Sequence, residues 1–302
     1  MCKLVIADEG YVEYLEDIVE GTNLEKVVAN IRYFPNGELL VRVPEVEKIR
    51  GRKVAPFFPT FPETNNRIFA LFQLIDILSE HGGENITLIM PYLSYSRQDK
   101  RFLKGECISL KLLLDILYHL GVNTLVAFDV HNPDVIPKYS KIKFINIQLG
   151  SSLVKYIINN YTGYDVVLIS PDEGRWRNIS KIASEIGIES TYLIKERDRY
   201  TGSIEIKGFG KEISLDNRSV ILLDDEISTG GTMVKAISFI RENAGVGDIY
   251  VAATHLLLIN NADKKILDSG ATEIVGSNTV RNKYGKVKIE PYIRRLLLEE
   301  ES

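Results

Sequence analysis

Residues 220–233 read VILLDDEISTGGTM. A β-branched apolar run ends in two carboxylates, Asp224 and Asp225, and then passes through a small, hydroxyl- and glycine-rich turn. That order predicts a strand over 220–224, a tight turn, and a helix over 232–242. Gly230 and Gly231 let backbone amides converge on one cavity, and the helix N-terminus adds positive potential; together these suit a phosphate. Carboxylates beside a phosphate cradle make sense if the ligand also carries hydroxyls. A ribose would donate to Asp224 and Asp225 while its phosphate enters the turn formed by Ser228, Thr229, Gly230, Gly231 and Thr232. A Thr-Gly-Gly-Thr turn alone is usually an ordinary capped turn. The strand, the acid pair and the turn together carry the reading.

The same rhythm extends in both directions. Strand-like runs fall at 4–7, 27–33, 54–58, 86–90, 124–129, 166–170, 190–194, 249–254 and 273–275. Helical patterns lie at 65–80, 108–120, 152–160, 175–186 and 262–268, with a further helix near the end. Strands this apolar, separated by amphipathic helices, predict α/β architecture with mainly parallel sheets covered on both faces. Two such series occur in 302 residues, a length that suits two domains. The expected organisation is two tandem doubly wound lobes, 1–149 and 150–289, with the helix at 290–299 free to pack back on the first. Hairpins are expected at 34–43, where Asn36-Gly37 is a tight-turn dipeptide, and at 200–207.

Composition narrows the classes. The formal charge of −4 argues against bulk attraction to nucleic acid or to an anionic membrane, so an anionic substrate needs local basic clusters. Two cysteines, Cys2 and Cys107, make neither a disulfide framework nor a four-thiolate metal site. No apolar run reaches the roughly 18 residues of a membrane span. The first residues run into a strand pattern without a signal-peptide core. A cytoplasmic protein is the expectation.

In open α/β sheets, ligands gather beyond the carboxyl ends of strands. Several segments there resemble one family in order: FPNGE at 34–38, TNN at 64–66, PYLSYSRQDKR at 91–101, Asp129-Val-His131, Ser170-Pro-Asp172, the 220–233 element and Thr254-His255. The chain resembles the ribose-phosphate pyrophosphokinases, or phosphoribosyl pyrophosphate (PRPP) synthetases, of archaeal type, from about Arg32 to Val275. The resemblance implies two phosphoribosyltransferase-like lobes that transfer diphosphate from ATP to the C1 hydroxyl of ribose 5-phosphate. It assigns ATP to Arg97, Gln98, Asp99 and His131, with Phe34, Asn36 and Glu38 reaching from a neighbouring subunit. It therefore implies a homo-oligomer, a dimer or larger. It assigns ribose 5-phosphate to Asp224, Asp225 and residues 228–232, magnesium to His131 and Asp172, and transition-state stabilisation to Lys195 and Arg197, with Arg199 as a helper.

These assignments have bland counterparts. Taken by charge alone, 97–101 and 195–199 would be solvated loops, and His131 a satisfied strand-end residue. His81, His119 and His255 read as structural, with His255 near the sugar as the other option. The chain also departs from the family pattern. Asn36 stands where Asp is usual, Ser228 replaces an acid, and Gly174 is followed by Arg175-Trp176-Arg177 where small residues are usual. Large groups there would narrow the site or add anion contacts. Two alternatives follow: a phosphoribosyltransferase that consumes PRPP, or a catalytically weak regulatory paralogue of the synthetase.

Overall fold

A computed structural model of the chain describes residues 3–197 and 204–299. Arg199, the tip of the hairpin expected at 200–207, and Cys2 lie outside the described residues. The backbone forms two compact units, the first ending at Ile147 and resuming at Ile289, the second running from Gln148 to Lys288.

In the first unit the order is β1 (Leu4–Asp8), α1 (Val12–Val19), β2 (Glu25–Tyr33), β3 (Leu39–Arg42), β4 (Val54–Pro56), α2 (Thr64–Glu80), β5 (Ile86–Ile89), α3 (Ser109–His119), β6 (Val122–Phe128), α4 (Ile136–Tyr139) and β7 (Lys143–Ile147). The strands pair in the orders β3-β2-β1-β4 and β5-β6-β7, and the bridges Lys53–Glu84 and Phe57–Ile89 join the two sets. Every named pairing is parallel except the β2–β3 hairpin. That hairpin turns at Asn36-Gly37 as its dipeptide predicts: Phe34 N donates to Glu38 O at 2.7 Å and Gly37 has φ 88°. Three elements of this unit exceed expectation, the four-residue α4 among them. α1 is short, and its N-cap Tyr11 offers no capping side chain, so its start carries no sequence signal. β7 is only partly buried, and its KFINI pattern is too short to show a period.

In the second unit come α5 (Gly150–Ile157), β8 (Val166–Ser170), α6 (Trp176–Ile186), β9 (Glu189–Arg197), β10 (Ile204–Phe209), β11 (Ser219–Ile227), α7 (Gly231–Asn243), β12 (Ile249–Leu256), α8 (Ala262–Asp268), β13 (Glu273–Ser277) and β14 (Gly285–Val287). The sheet order is β10-β9-β8-β11-β12-β13-β14, antiparallel only at β9–β10. Alternation along the strands separates two cores. Val166 and Leu168 pack with Leu153, Val154, Ile179 and Ile182 of α5 and α6. Val167 and Ile169 pack with Met233, Ile237 and Ile240 of α7 and with Ile266 of α8. This unit is therefore wound on both faces, and each fully buried aliphatic side chain stabilises it by about 1.5–3 kcal/mol.

Last comes α9 (Glu290–Glu299), which belongs to the first unit and packs on α1. Arg294 Nε donates to Ile18 O at 3.2 Å, and its Nη2 donates to Asp17 O. Among the described residues no helix is long and apolar enough to cross a membrane.

Candidate functional site

The strand order of the second unit reverses at β8: its sequence neighbour β9 lies on one side and β11 on the other. Such a switch point opens a crevice at the carboxyl ends of the two strands. β8 delivers Ser170-Pro171-Asp172 to it, and β11 delivers Asp224-Asp225. Asp172 caps a 3-10 turn, Glu173–Arg175, accepting from Arg175 N at 3.2 Å. Lys195 of β9, the strand beyond, brings its Nζ to 3.3 Å from the other Asp172 oxygen.

Arg175, at the end of that turn, lies over the acid pair. Its Nη1 is 2.6 Å from Asp225 Oδ2 and its Nε is 3.3 Å from Asp224 Oδ1. The first is a short charge-assisted contact. The second is electrostatic, because the buried Nε makes no hydrogen bond. Asp224 Oδ1 instead accepts from Asp225 N at 2.8 Å. Side-chain exposure is 2% for Asp225 and 12% for Asp224, so Asp224 is the more open of the two. Burial, and then the neighbouring Asp225, push the Asp224 carboxyl well above the usual carboxylate range, while Arg175 pulls it back.

Beyond the acids, Gly230 adopts φ 76° as the N-cap of α7. Only glycine takes that backbone without strain. It brings no capping oxygen, so no N-cap side chain satisfies the first amides of α7. Thr229, Gly231 and Thr232 are exposed and Ser228 is partly so. The acid pair and the turn expected to hold a sugar phosphate are therefore together in one crevice. His255 is buried on β12, beside Glu226 in register, and its Nδ1 is 2.9 Å from Thr279 Oγ1. That places it in a buried hydroxyl network with Thr254 and Ser277. Arg197 ends β9.

The first unit gathers its own set. The loop after β5 carries exposed Arg97 and Gln98, and the loop after the adjacent β6 carries exposed His131. Asp99, expected among the ATP contacts, is buried, and its Oδ2 accepts from Asn132 Nδ2 at 2.7 Å while its carbonyl accepts from Tyr139 Oη at 2.6 Å. It ties the two loops together. Phe34 and Glu38 are exposed on the hairpin, and Asn36 Oδ1 accepts from Glu38 N at 3.1 Å, so the amide oxygen is used within the turn. The strand-order reversal in this unit, at β1 and β4, is filled by an ion pair. Arg67 Nη2 is 2.6 Å from Asp8 Oδ2, and Arg67 lies over the Phe58 and Tyr11 rings. His81 and His119 each place Nδ1 against a carbonyl of their own helix.

Magnesium takes oxygen ligands and keeps several waters, so it is bound through one or two carboxylates plus substrate phosphates. Asp172, with a side chain 36% exposed, fits that role; the acid pair, covered by Arg175, does not. Among the described residues no group of three His, Cys, Asp or Glu could hold a metal alone. Sequence reasoning singled out Arg175 but missed its bond to Asp225. It missed Asn132 and Arg67 altogether, since nothing local marks either.

Comparison with known proteins agrees with this arrangement. The profile described as the N-terminal domain of ribose phosphate pyrophosphokinase matches residues 4–121, and a phosphoribosyl transferase domain profile matches 145–282. A ribose-phosphate pyrophosphokinase of Methanopyrus kandleri is 34% identical over 288 residues, covering 95% of this chain and 96% of that protein. One of Saccharolobus solfataricus is 35% identical over 276 residues, covering 91% of each. The crystal structure of phosphoribosylpyrophosphate synthetase from Mycobacterium smegmatis superposes with a TM-score of 0.87 at 27% identity, covering both chains fully.

Proposed function

The chain belongs to the ribose-phosphate pyrophosphokinase family, and from that premise we propose that it transfers an intact diphosphate from ATP to ribose 5-phosphate, giving PRPP and AMP. The observation that carries the reading is the crevice between β8 and β11, where an acid pair adjoins an uncapped helix N-terminus. There the 5-phosphate takes the amides and hydroxyls of 228–232, and the ribose hydroxyls donate to the acid pair.

The C1 hydroxyl attacks the β-phosphorus in line. A bond forms from O1 to that phosphorus, and the bond to the oxygen bridging the α- and β-phosphates breaks, leaving with AMP; the hydroxyl proton goes to solvent. No covalent enzyme intermediate is needed. The chain contributes position and charge, which dominate phosphoryl-type transfer. Lys195, held beside Asp172, is assigned to meet the transferring group with its ammonium, and Arg197 is assigned the same task. Arg97 and Gln98 bind the nucleotide, with Asp99 holding their loop to that of His131. His131 and Asp172 are proposed to hold magnesium, which would supply positive charge to the ATP phosphates. Exposed Phe34, Asn36 and Glu38 are proposed to serve the nucleotide of a neighbouring copy in a homo-oligomer. A cytoplasmic location suits these substrates.

Neither nucleic acid nor a membrane has a place in this chemistry. A phosphoribosyltransferase would leave the first unit's matched domain unexplained. The regulatory reading is favoured by one observation, the Arg175 cover on Asp225. One assay separates it from synthesis: AMP release from ATP with ribose 5-phosphate and Mg²⁺. AMP well above that made by a Lys195→Ala protein supports the synthetase; no difference from that variant overturns it.

A further inference from the structure

Two adjacent buried carboxylates need positive charge close by, or one of them takes up a proton. A bound divalent cation is one source. This chain carries another. Arg175 is 16% exposed, its guanidinium contacts both Asp224 and Asp225, and the turn that presents it is fixed by its own N–H to Asp172. Arginine is suited to the place because its planar fork stays charged and matches carboxylate geometry. Lys195 does the same for Asp172, so three carboxylates at the crevice have two fixed cations between them.

We propose that Arg175 is the resident counter-cation of the sugar site, taking the place a divalent ion would otherwise need to occupy at Asp224 and Asp225. This rests on the reading of the crevice as a ribose 5-phosphate site. It divides the labour of the acid pair. Asp225, nearly inaccessible, anchors Arg175. Asp224, more open and bonded to Arg175 only electrostatically, offers its remaining oxygen to a ribose hydroxyl. Arg175 is thus a positioning residue for the sugar, and ribose 5-phosphate binds without metal. Magnesium is required at the later stage, with ATP.

The test is calorimetric binding of ribose 5-phosphate to the full chain, without nucleotide, in EDTA and in Mg²⁺. The parent protein is expected to bind with affinities that agree within about threefold in the two conditions. Arg175→Ala should lose about tenfold or more in EDTA and recover most of it in Mg²⁺, since the ion then fills the vacated place. Arg175→Lys, keeping charge without the fork, should fall between them while remaining insensitive to metal. Parent binding that needs Mg²⁺ by about tenfold overturns the proposal alone, and requires no variant to fold. Arg175→Ala binding in EDTA as well as the parent also overturns it. Absence of parent binding in both conditions overturns it together with the sugar-site reading.

Discussion

Gly230→Ala tests whether the turn at the start of α7 has the geometry on which the sugar-phosphate site depends. At φ 76° an alanine pays about 1–2 kcal/mol for the left-handed backbone. Its added carbon would lie 3.2 Å from Ala262 Cβ, 3.2 Å from Ile266 Cδ1 and 3.3 Å from Ala262 O, all on α8. Crowding of this kind in a packed core adds about 1 kcal/mol. The expected loss is therefore about 2–3 kcal/mol. Gly231→Ala is the internal control, because its φ is ordinary and nothing lies within 4 Å of the added carbon; its stability should stay within about 0.5 kcal/mol of the parent. The chain's single tryptophan, Trp176, lies in the second unit with its ring centroid 5.0 Å from that of Tyr192. Its fluorescence during urea unfolding reports this unit specifically. With a urea slope of about 2 kcal/mol per molar, Gly230→Ala should lower the midpoint by roughly 1 M. A midpoint shift equal to that of Gly231→Ala would refute the argument, and with it the claim that glycine is required at the cap.

Lys195→Ala should lower kcat for AMP release by about 10²–10³ while leaving KM for ATP within about twofold, because the charge acts on the transferring group. Asp99→Ala frees the Asn132 amide and unties two loops, so KM for ATP should rise about tenfold while that for ribose 5-phosphate holds; steady-state kinetics on both substrates reads the split. Asp224→Asn should show a pH-dependent effect on stability. Burial raises this carboxyl in the folded protein, so the folded state keeps a proton that the unfolded chain releases above its ordinary value of 3.8. The protonated carboxyl's contribution is complete below that value and is lost as pH rises toward the raised folded one. The melting temperature of Asp224→Asn relative to the parent should therefore improve as pH rises above about 4, and a flat difference would count against the assignment.

The centre of the second unit's sheet could be read from sequence because β8, β11 and β12 are buried on both faces. Runs such as 166–169 and 220–223 are continuous apolar stretches with clear turn signals. The acid pair and the turn were legible for a related reason: their chemistry is local, set by one strand and the helix that follows. What the sequence hid was contact between elements distant in the chain. Arg175 reaches Asp225 only because β8 and β11 are neighbours in the sheet, and Asp99 reaches Asn132 only because β5 and β6 are. Asp99 also shows how a motif can mislead. It stands beside Arg97 and Gln98 in sequence, yet it is turned inward to hold their loop. Arg67 and Asp8 lack any motif, and their pairing fills the first unit's own strand-order reversal.

The return of α9 to α1 sets an order of events during synthesis. The second unit is one unbroken stretch, from Gln148 to Lys288, and needs no later part of the chain to close. The first unit is interrupted, and the face that α1 offers to α9 must wait until residues 290–299 have been translated. At about 5–20 residues per second, the interval from Val19 to Glu290 is roughly 15–55 s. For that time the part of α1 that α9 will cover stays open, and the carbonyls of Asp17 and Ile18 wait for Arg294.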